Sequence, residues 1–408
     1  MPKTRYGVSP WLDTAAPRTR PSFPTFRGAA EVPVAIVGGG FAGVVTAYAF
    51  AAAGVRVLLV EADRLGGGAT GRSAGLVLGD PEGDYLTHEA EHGRRAARGL
   101  WQATHRAALD FAAAIRRLGL RCRLEPADAV VYTREPEQLR RLQREAQARR
   151  DAGLDASWLS ARSLAAMHLE GVGGIRTRGH ARIDPYRACA GFARAAAARG
   201  AACFEGSPVR RALVRPKHVE LVLAKGTIRC ETVIFATGEP TPAFAALRRH
   251  FETNETYAVL TPPLPAPVRR SAPPDGTIVQ DRLQPPHRLA WLPDGRVIWT
   301  GADQPRTPER SRRKVLVQRG GQLMYELSLT MPAISGIQPD YVWDVAATRT
   351  RDGLPFIGPH RNYPRHLFAL GLGASLTGAF LAARILLRHY EGQPERTDEY
   401  FGFARLAR

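Results

Sequence analysis

Residues 34–43 read Val-Ala-Ile-Val-Gly-Gly-Gly-Phe-Ala-Gly, and the fold is decided there. Residues 32–37 predict a β-branched strand, 41–53 a helix of small residues that stops at Gly54, and 55–60 a second apolar strand. Strand, helix and strand in about thirty residues form the βαβ unit of a parallel sheet. Gly38, Gly40 and Gly43 meet the spacing G-x-G-x-x-G, and each has a task. Gly38 permits the tight turn out of the strand, Gly40 carries no side chain to block a pyrophosphate, and Gly43 lets the helix lie close to the sheet. The helix start, at Phe41 and Ala42, offers free N–H groups and the positive end of a dipole to phosphates. Glu61 ends the second strand 23 residues after Gly38. A carboxylate there accepts the ribose hydroxyls of an adenosine and repels a 2′-phosphate, with Ala62 and Arg64 beside it.

The same unit serves NAD and FAD, so other segments must choose. Past Glu61 runs Gly66-Gly-Gly-Ala-Thr70-Gly71-Arg72-Ser73-Ala-Gly75. A glycine track with two hydroxyls and Arg72 suits a ligand that extends beyond the first unit. Residues 232–238 predict a strand that ends in the small turn Ala236-Thr237-Gly238, where a nucleotide edge can pass.

The chain has 408 residues and is 44% hydrophobic, enough for more than one core, and no long linker divides it. Its net charge of +19 invites a nucleic-acid reading. Only four of the 57 basic residues are lysine, however, and the arginines are dispersed, which argues against a nucleic-acid partner. Four cysteines (Cys122, Cys189, Cys203, Cys230) show no CxxC pair, and no metal site is expected. No apolar run reaches the ~18 residues that span a bilayer, and the polar start lacks a signal-peptide core. The expectation is a cytoplasmic protein without a membrane span.

Residues 1–30, with Trp11, Pro17, Pro21 and Pro24, read as an extended arm. Helices are expected near 86–118, 136–152, 182–199, 309–328 and 376–390. Strands are expected at 201–205, 209–214, 218–223, 226–230, 341–347 and 366–370, with further strands between Pro- and Gly-marked turns over 255–303.

Three blocks resemble the D-amino-acid oxidase superfamily of FAD-dependent amine oxidoreductases, which includes glycine oxidase, sarcosine oxidase and γ-glutamylputrescine oxidase. They are VAIVGGGFAG…VLLVEADRLGGGATGRSAG (34–75), RIDPYRACAGFARAAAARGAACFEGSPV (182–209) with TVIFATGE (232–239), and DGLPFIGPH…LFALGLGASLTGAFLAARILL (352–387). The resemblance implies an α/β protein with a discontinuous Rossmann-like FAD-binding domain (31–115, 171–240 and 341–408). Inserted in it would be a substrate domain (116–170 and 241–340) on a largely antiparallel sheet. It implies that Val209 meets the adenine through its backbone and that Arg72 and Ser73 lie near the flavin. The turn holding Gly371, Ala374, Ser375, Leu376 and Thr377 would offer N–H groups to the flavin edge.

The chain departs from its relatives at several of these positions. Ala374-Ser375-Leu376 stands where many relatives carry a basic residue between glycines. Ala347 stands where glycine-oxidase-like members hold the substrate carboxylate with an arginine, and Arg349 and Arg351 are the arginines nearest to it. That pattern is closer to the amine-oxidising branch. Val345 and Arg72 stand where other members attach flavin through Cys or His, so non-covalent FAD is predicted.

The implied chemistry is hydride transfer from a small amine or amino acid to flavin N5, followed by hydrolysis of the imine, with oxygen or another acceptor reoxidising the flavin. Arg72, Arg349 and Ser375 are the candidate catalytic residues. Tyr257, Trp291, Trp343 and Arg349 are the candidate substrate pocket, while His287 and His360 are assigned structural roles. The alternatives are a flavoenzyme acting on modified tRNA and a non-catalytic FAD-binding protein.

Overall fold

In the computed structural model, which describes residues 3–15 and 22–407, the glycine stretch closes the strand Gly28–Val37 and opens the helix Phe41–Ala52. That strand sits inside an eight-stranded sheet. Six strands run in the order Phe356–His360, Tyr363–Leu370, Gly226–Gly238, Gly28–Val37, Val57–Val60 and Ala202–Phe204, and Val219–Leu223 and Val209–Val214 branch from Gly226–Gly238. The inner pairs are parallel, with Phe235 opposite Val37, Val37 opposite Val60 and Val60 opposite Phe204. Their carboxyl ends therefore reach one edge together, the edge at which ligands bind in open α/β sheets.

Residues 226–230 and 232–238 form one strand rather than two, because its first half pairs with Gly28–Val37 on one side and Val219–Leu223 on the other. The helical stretch expected over 86–118 is two helices, Tyr85–His92 and Arg94–Arg117, broken at Gly93 by its positive φ of 83°. Helices Phe41–Ala52, Arg94–Arg117, Pro185–Ala197 and Leu376–Tyr390 cover one face of the sheet. Phe41, Phe111, Phe192 and Phe380 interlock there, with ring centroids 5.2 Å apart for Phe111–Phe380 and 5.3 Å for Phe41–Phe111.

A second, ten-stranded sheet is largely antiparallel. At its centre, Phe251–Leu260 lies between Tyr341–Thr350 and Val297–Pro305. The helix Glu309–Thr330 buries Leu316, Leu323 and Leu327 against one face, together with Tyr257, Trp291 and Trp299. The sequence grouped residues 171–182 and 341–350 with the nucleotide-binding part. Both strands, Gly173–Arg182 and Tyr341–Thr350, instead hydrogen-bond into this second sheet. They are the places where the chain crosses between sheets, and an apolar alternation does not say which sheet it joins.

The arm is built into the molecule rather than trailing from it. Arg5–Tyr6 pairs with Tyr341 and Val342, and Pro10–Asp13 is a short helix capped by Ser9. Pro17 and Pro21 lie outside the described residues. All four cysteines are buried and unpaired. Burial pushes the thiols of Cys122 and Cys230 up to about 12 and Cys203 to about 11, and raises Cys189 further. Among the described residues no helix is long and apolar enough to cross a membrane, and no cluster of metal-ligating side chains occurs.

Candidate active site

The local chemistry of the glycine turn follows from what each missing Cβ would meet. At Gly43 it would stand 1.8 Å from the Gly38 carbonyl oxygen, so only glycine lets the helix approach the strand end. At Gly38, where φ is 109°, it would meet the Ala236 carbonyl at 2.5 Å. At Gly40 the nearest atom is Thr70 Oγ1 at 3.6 Å, so the space is open to a ligand. The helix has no side-chain cap at Gly40, and Thr70 Oγ1 accepts the Phe41 N–H at 2.8 Å. The Glu61 carboxylate accepts the N–H groups of Gly39 (2.6 Å) and Asp63 (2.9 Å), which fixes it at the strand end.

Over this turn lies a cleft of about 540 Å3. Its walls include Gly38, Gly40, Phe41, Ala42, Glu61, Ala62, Arg64 and Thr70 from the first block. Val209, Ala236, Thr237, Gly238, Ala374, Ser375 and Leu376 arrive from later segments. Of the other residues nominated from sequence, Gly43 packs the helix, and a Cβ on Gly71 would meet Leu12 and the Gly66 carbonyl, each at 2.6 Å. Gly371 donates its N–H to the Gly238 carbonyl at 3.0 Å. Thr377 is buried, and its Oγ1 has no hydrogen-bond partner among the described residues. Arg210 and Arg211 also line the cleft and escaped the sequence reading, since an arginine pair in a chain so rich in arginine carries no signal.

A smaller cavity of about 180 Å3 adjoins the cleft, and the two share Leu372, Ala374 and Ser375 as a common wall. Ser375 is the N-cap of Leu376–Tyr390 and accepts the Gly378 N–H at 3.0 Å. Arg72, Ser73 and Arg349 line this cavity. The loop carrying Arg72 and Ser73 is clamped by two indoles. Trp343 Nε1 donates to the Arg72 carbonyl at 2.7 Å, and Trp11 Nε1 to the Ser73 carbonyl at 2.8 Å. Burial, with the neighbouring Arg312 guanidinium, holds Arg72 below the ordinary guanidinium range, while Asp344 at 3.5 Å opposes the shift.

The three aromatic residues nominated for the pocket do not line it. Tyr257 and Trp291 belong to the core on the other face of the sheet, Tyr257 beside the helix Glu309–Thr330 and Trp291 donating from Nε1 to the Pro273 carbonyl at 2.8 Å. Tyr257 Oη there donates to Glu255 at 2.9 Å. Trp343 is fully buried against the arm with Trp11. Thr256, Ala258, Thr300, Val345 and Ala347 face the cavity instead, so the wall contributed by these three strands is made of small side chains. Side chains alternate across a strand, and choosing the large residues chose the opposite face for Tyr257.

The charged lining went unread in the sequence. Arg149 is pinned by Glu145 at 2.7 Å and Asp80 at 3.0 Å. His180 Nδ1 accepts the Gly79 N–H at 3.0 Å, which leaves the ring proton on Nε2 to be donated to Thr177 Oγ1 at 2.8 Å, and burial lowers the pKa of the ring. Glu82 lies 2.9 Å from Arg349 Nε and 3.9 Å from Arg288. The signal for Glu82 was the turn Gly79-Asp-Pro-Glu-Gly83, while Arg288, lone in an apolar strand, gave none.

His287, assigned a structural role, holds Asp281 at 2.7 Å and Glu326 at 2.9 Å and stacks on Trp299 at 4.9 Å. His360 lies 4.9 Å from Phe403, ring to ring.

A glycine turn that opens onto a long cleft at the carboxyl edge of a parallel sheet defines a dinucleotide-binding α/β protein. Residues 33–388 match the family model described as FAD dependent oxidoreductase (DAO), and the chain belongs to that family. It is 26% identical over 393 residues to the protein named "Probable oxidoreductase OrdL" of Haemophilus influenzae, covering 93% of this chain and 88% of that one. It is also 26% identical over 399 residues to the γ-glutamylputrescine oxidoreductase of Escherichia coli, with the same shares covered. The crystal structure of glycine oxidase from Geobacillus kaustophilus superposes with a TM-score of 0.76 at 20% identity, covering 92% of this chain and 99% of that one.

The residues present fit the cofactor of the family. The open space at Gly40 and the Glu61 carboxylate suit a pyrophosphate and an adenosine ribose, although the N–H of Phe41, expected to be free for phosphate, is taken by Thr70 Oγ1.

Proposed function

We propose that the protein oxidises a small amine that carries a carboxylate, an amino acid or an N-substituted amino acid, with non-covalent FAD held in the larger cleft. The observation that carries this reading is Arg349. Its side chain lines the small cavity, whose wall of Leu372, Ala374 and Ser375 is shared with the cleft. Ala347, at the position where glycine-oxidase-like relatives place their arginine, faces the same cavity, and Arg349 follows two residues later on the same face of the strand. The charge is moved by one pleat and stays within the cavity.

FAD, when bound, would supply the acceptor for the hydride of the substrate C–H bond, which carries both electrons of the oxidation. The protein's own residues bind and orient. Arg349 would take the substrate carboxylate, and a guanidinium matches that planar anion with paired donors. The small side chains at Thr256, Ala258, Val345 and Ala347 leave a volume of about 180 Å3, which limits the substrate to a small molecule. Leu76, Leu78 and Ile278 reduce the water in contact with the reacting carbon. The N-terminus of Leu376–Tyr390, which begins at the shared wall, directs a positive dipole end toward charge that accumulates there.

The test is the visible absorption of the purified protein, recorded anaerobically before and after adding primary amines, secondary amines and amino acids. Bleaching by amino acids, weakened at least ten-fold in apparent affinity by Arg349→Ala, is expected from the loss of a charged hydrogen-bonding partner of about 1.5–3 kcal/mol. A flavin band that only amines without a carboxylate bleach overturns the role of Arg349. A protein with no flavin band after FAD is added overturns the whole reading.

A further inference from the structure

We infer that Glu82 is a specificity-determining residue, an internal carboxylate that occupies Arg288 and Arg349 and admits only substrates whose own anionic group displaces it. The inference rests on the small cavity being the substrate site, as proposed above.

Arg288 opens the strand Arg288–Trp291, and Arg349 lies near the end of Tyr341–Thr350. Two other strands separate these in the sheet, yet both guanidiniums reach the same carboxylate. Each oxygen of Glu82 faces a different arginine: Oε2 is 2.9 Å from Arg349 Nε, and Oε1 is 3.9 Å from Arg288 Nη2. That is how a bridging ligand carboxylate would sit.

The remaining charges of the cavity have partners fixed in the scaffold. Arg149 is held by Glu145 and Asp80, and Arg72 pairs with Asp344. Arg288 also donates to Gln280 Oε1 at 2.8 Å, and Arg349 Nη1 has Asp303 at 3.6 Å. Arg349 Nε is different. It is buried and has no aligned hydrogen-bond acceptor, so its contact with Glu82 is charge attraction alone. A buried donor in this state favours any acceptor with better alignment.

Glu82 is placed to give way. Its side chain is 43% exposed, so its ion pairs are weak ones. The loop on which it rides is anchored on both sides. The Gly79 N–H is held by His180, and Asp84 is held by Arg282 at 2.7 and 2.9 Å. Gly79 and Gly83 flank the tip, and Gly83 has a φ of 93°. Exchanging one carboxylate for another leaves both arginines paired, whereas a neutral amine offers no replacement and leaves Glu82 in place.

The experiment is calorimetric titration of the FAD-loaded protein with propionate, which has a carboxylate and no amine to oxidise. Glu82→Gln is expected to bind propionate about three- to ten-fold more tightly than the wild type, as loss of two weak, competing ion pairs implies. Glu82→Asp should fall between them, and adding Arg288→Gln to Glu82→Gln should remove the gain. Equal or weaker binding by Glu82→Gln, or a gain that survives Arg288→Gln, overturns the inference. Tighter propionate binding in a protein whose flavin no amine bleaches would overturn the proposed reaction and sustain the role of Glu82. Amino-acid bleaching without any effect of Glu82→Gln on propionate would do the reverse.

Discussion

Two glycines three residues apart separate what the fold needs from what the ligand needs. A Cβ at Gly43 would lie 1.8 Å from a backbone oxygen that cannot retreat, while one at Gly40 would make an ordinary contact of 3.6 Å with Thr70. Gly43→Ala is therefore expected to lower stability by about 1–3 kcal/mol, the usual penalty of overpacking. Gly40→Ala is expected to melt like the wild type and lose its flavin, because the methyl would occupy space that only a pyrophosphate uses. Thermal unfolding and flavin absorbance per protein measure both. A Gly40→Ala protein that keeps both its melting temperature and its flavin would show that the cleft is not used in this way. Both glycines were legible in the sequence because spacing alone fixes their places relative to strand and helix.

Across the strand Phe251–Leu260, neighbouring residues have opposite duties: Thr256 and Ala258 face the cavity, and Tyr257 faces the helix Glu309–Thr330. Tyr257 Oη lies in a network with Glu255, Thr307 and Gln304, and burial, with the carboxylate beside it, raises its pKa to about 12. Tyr257→Phe should cost about 1–2 kcal/mol of stability through the lost hydrogen bonds and leave KM unchanged. Ala347→Leu should do the opposite, raising KM at least ten-fold while the melting temperature stays within a few degrees. A KM raised by Tyr257→Phe and left unmoved by Ala347→Leu would mean that the sheet's faces had been assigned the wrong way round. The period of such a strand was readable in the sequence, but its phase was not. Nothing in Thr-Tyr-Ala-Val announces which parity faces a cavity until the partner helix is known. The same ambiguity concealed Arg288, whose neighbours in sequence are core residues.

Taken whole, the molecule is two sheets fastened at loops that the sequence left plain. The arm joins them: Arg5–Tyr6 extends one sheet, while Ser9 Oγ donates to the Gly71 carbonyl beneath the nucleotide loop. The arginine excess is partly absorbed by such fastenings, as where Arg405 holds Asp352 and Arg388 holds Asp398. Another fastening is sensitive to pH. Burial would lower the pKa of His287, but its hydrogen bond to Asp281 and the charges of Asp281 and Glu326 prevail and raise it. The stabilisation is then fully present below the unfolded value of about 6.5 and is lost as pH rises through the raised folded value. The melting-temperature difference between the wild type and His287→Gln should shrink steadily above pH 6.5. A difference that grows with pH would contradict the assignment.

The buried thiols have a practical consequence. Cysteine is alkylated when its thiolate attacks the reagent, and all four native cysteines are both sequestered and held protonated. The folded protein should accordingly be silent toward maleimides without any cysteine being removed. A single Leu283→Cys substitution, at a position 47% exposed and next to the Arg282 that anchors Asp84, would then carry a fluorophore alone. Displacement of Glu82 by an added carboxylate could then be sought in its emission in otherwise native protein.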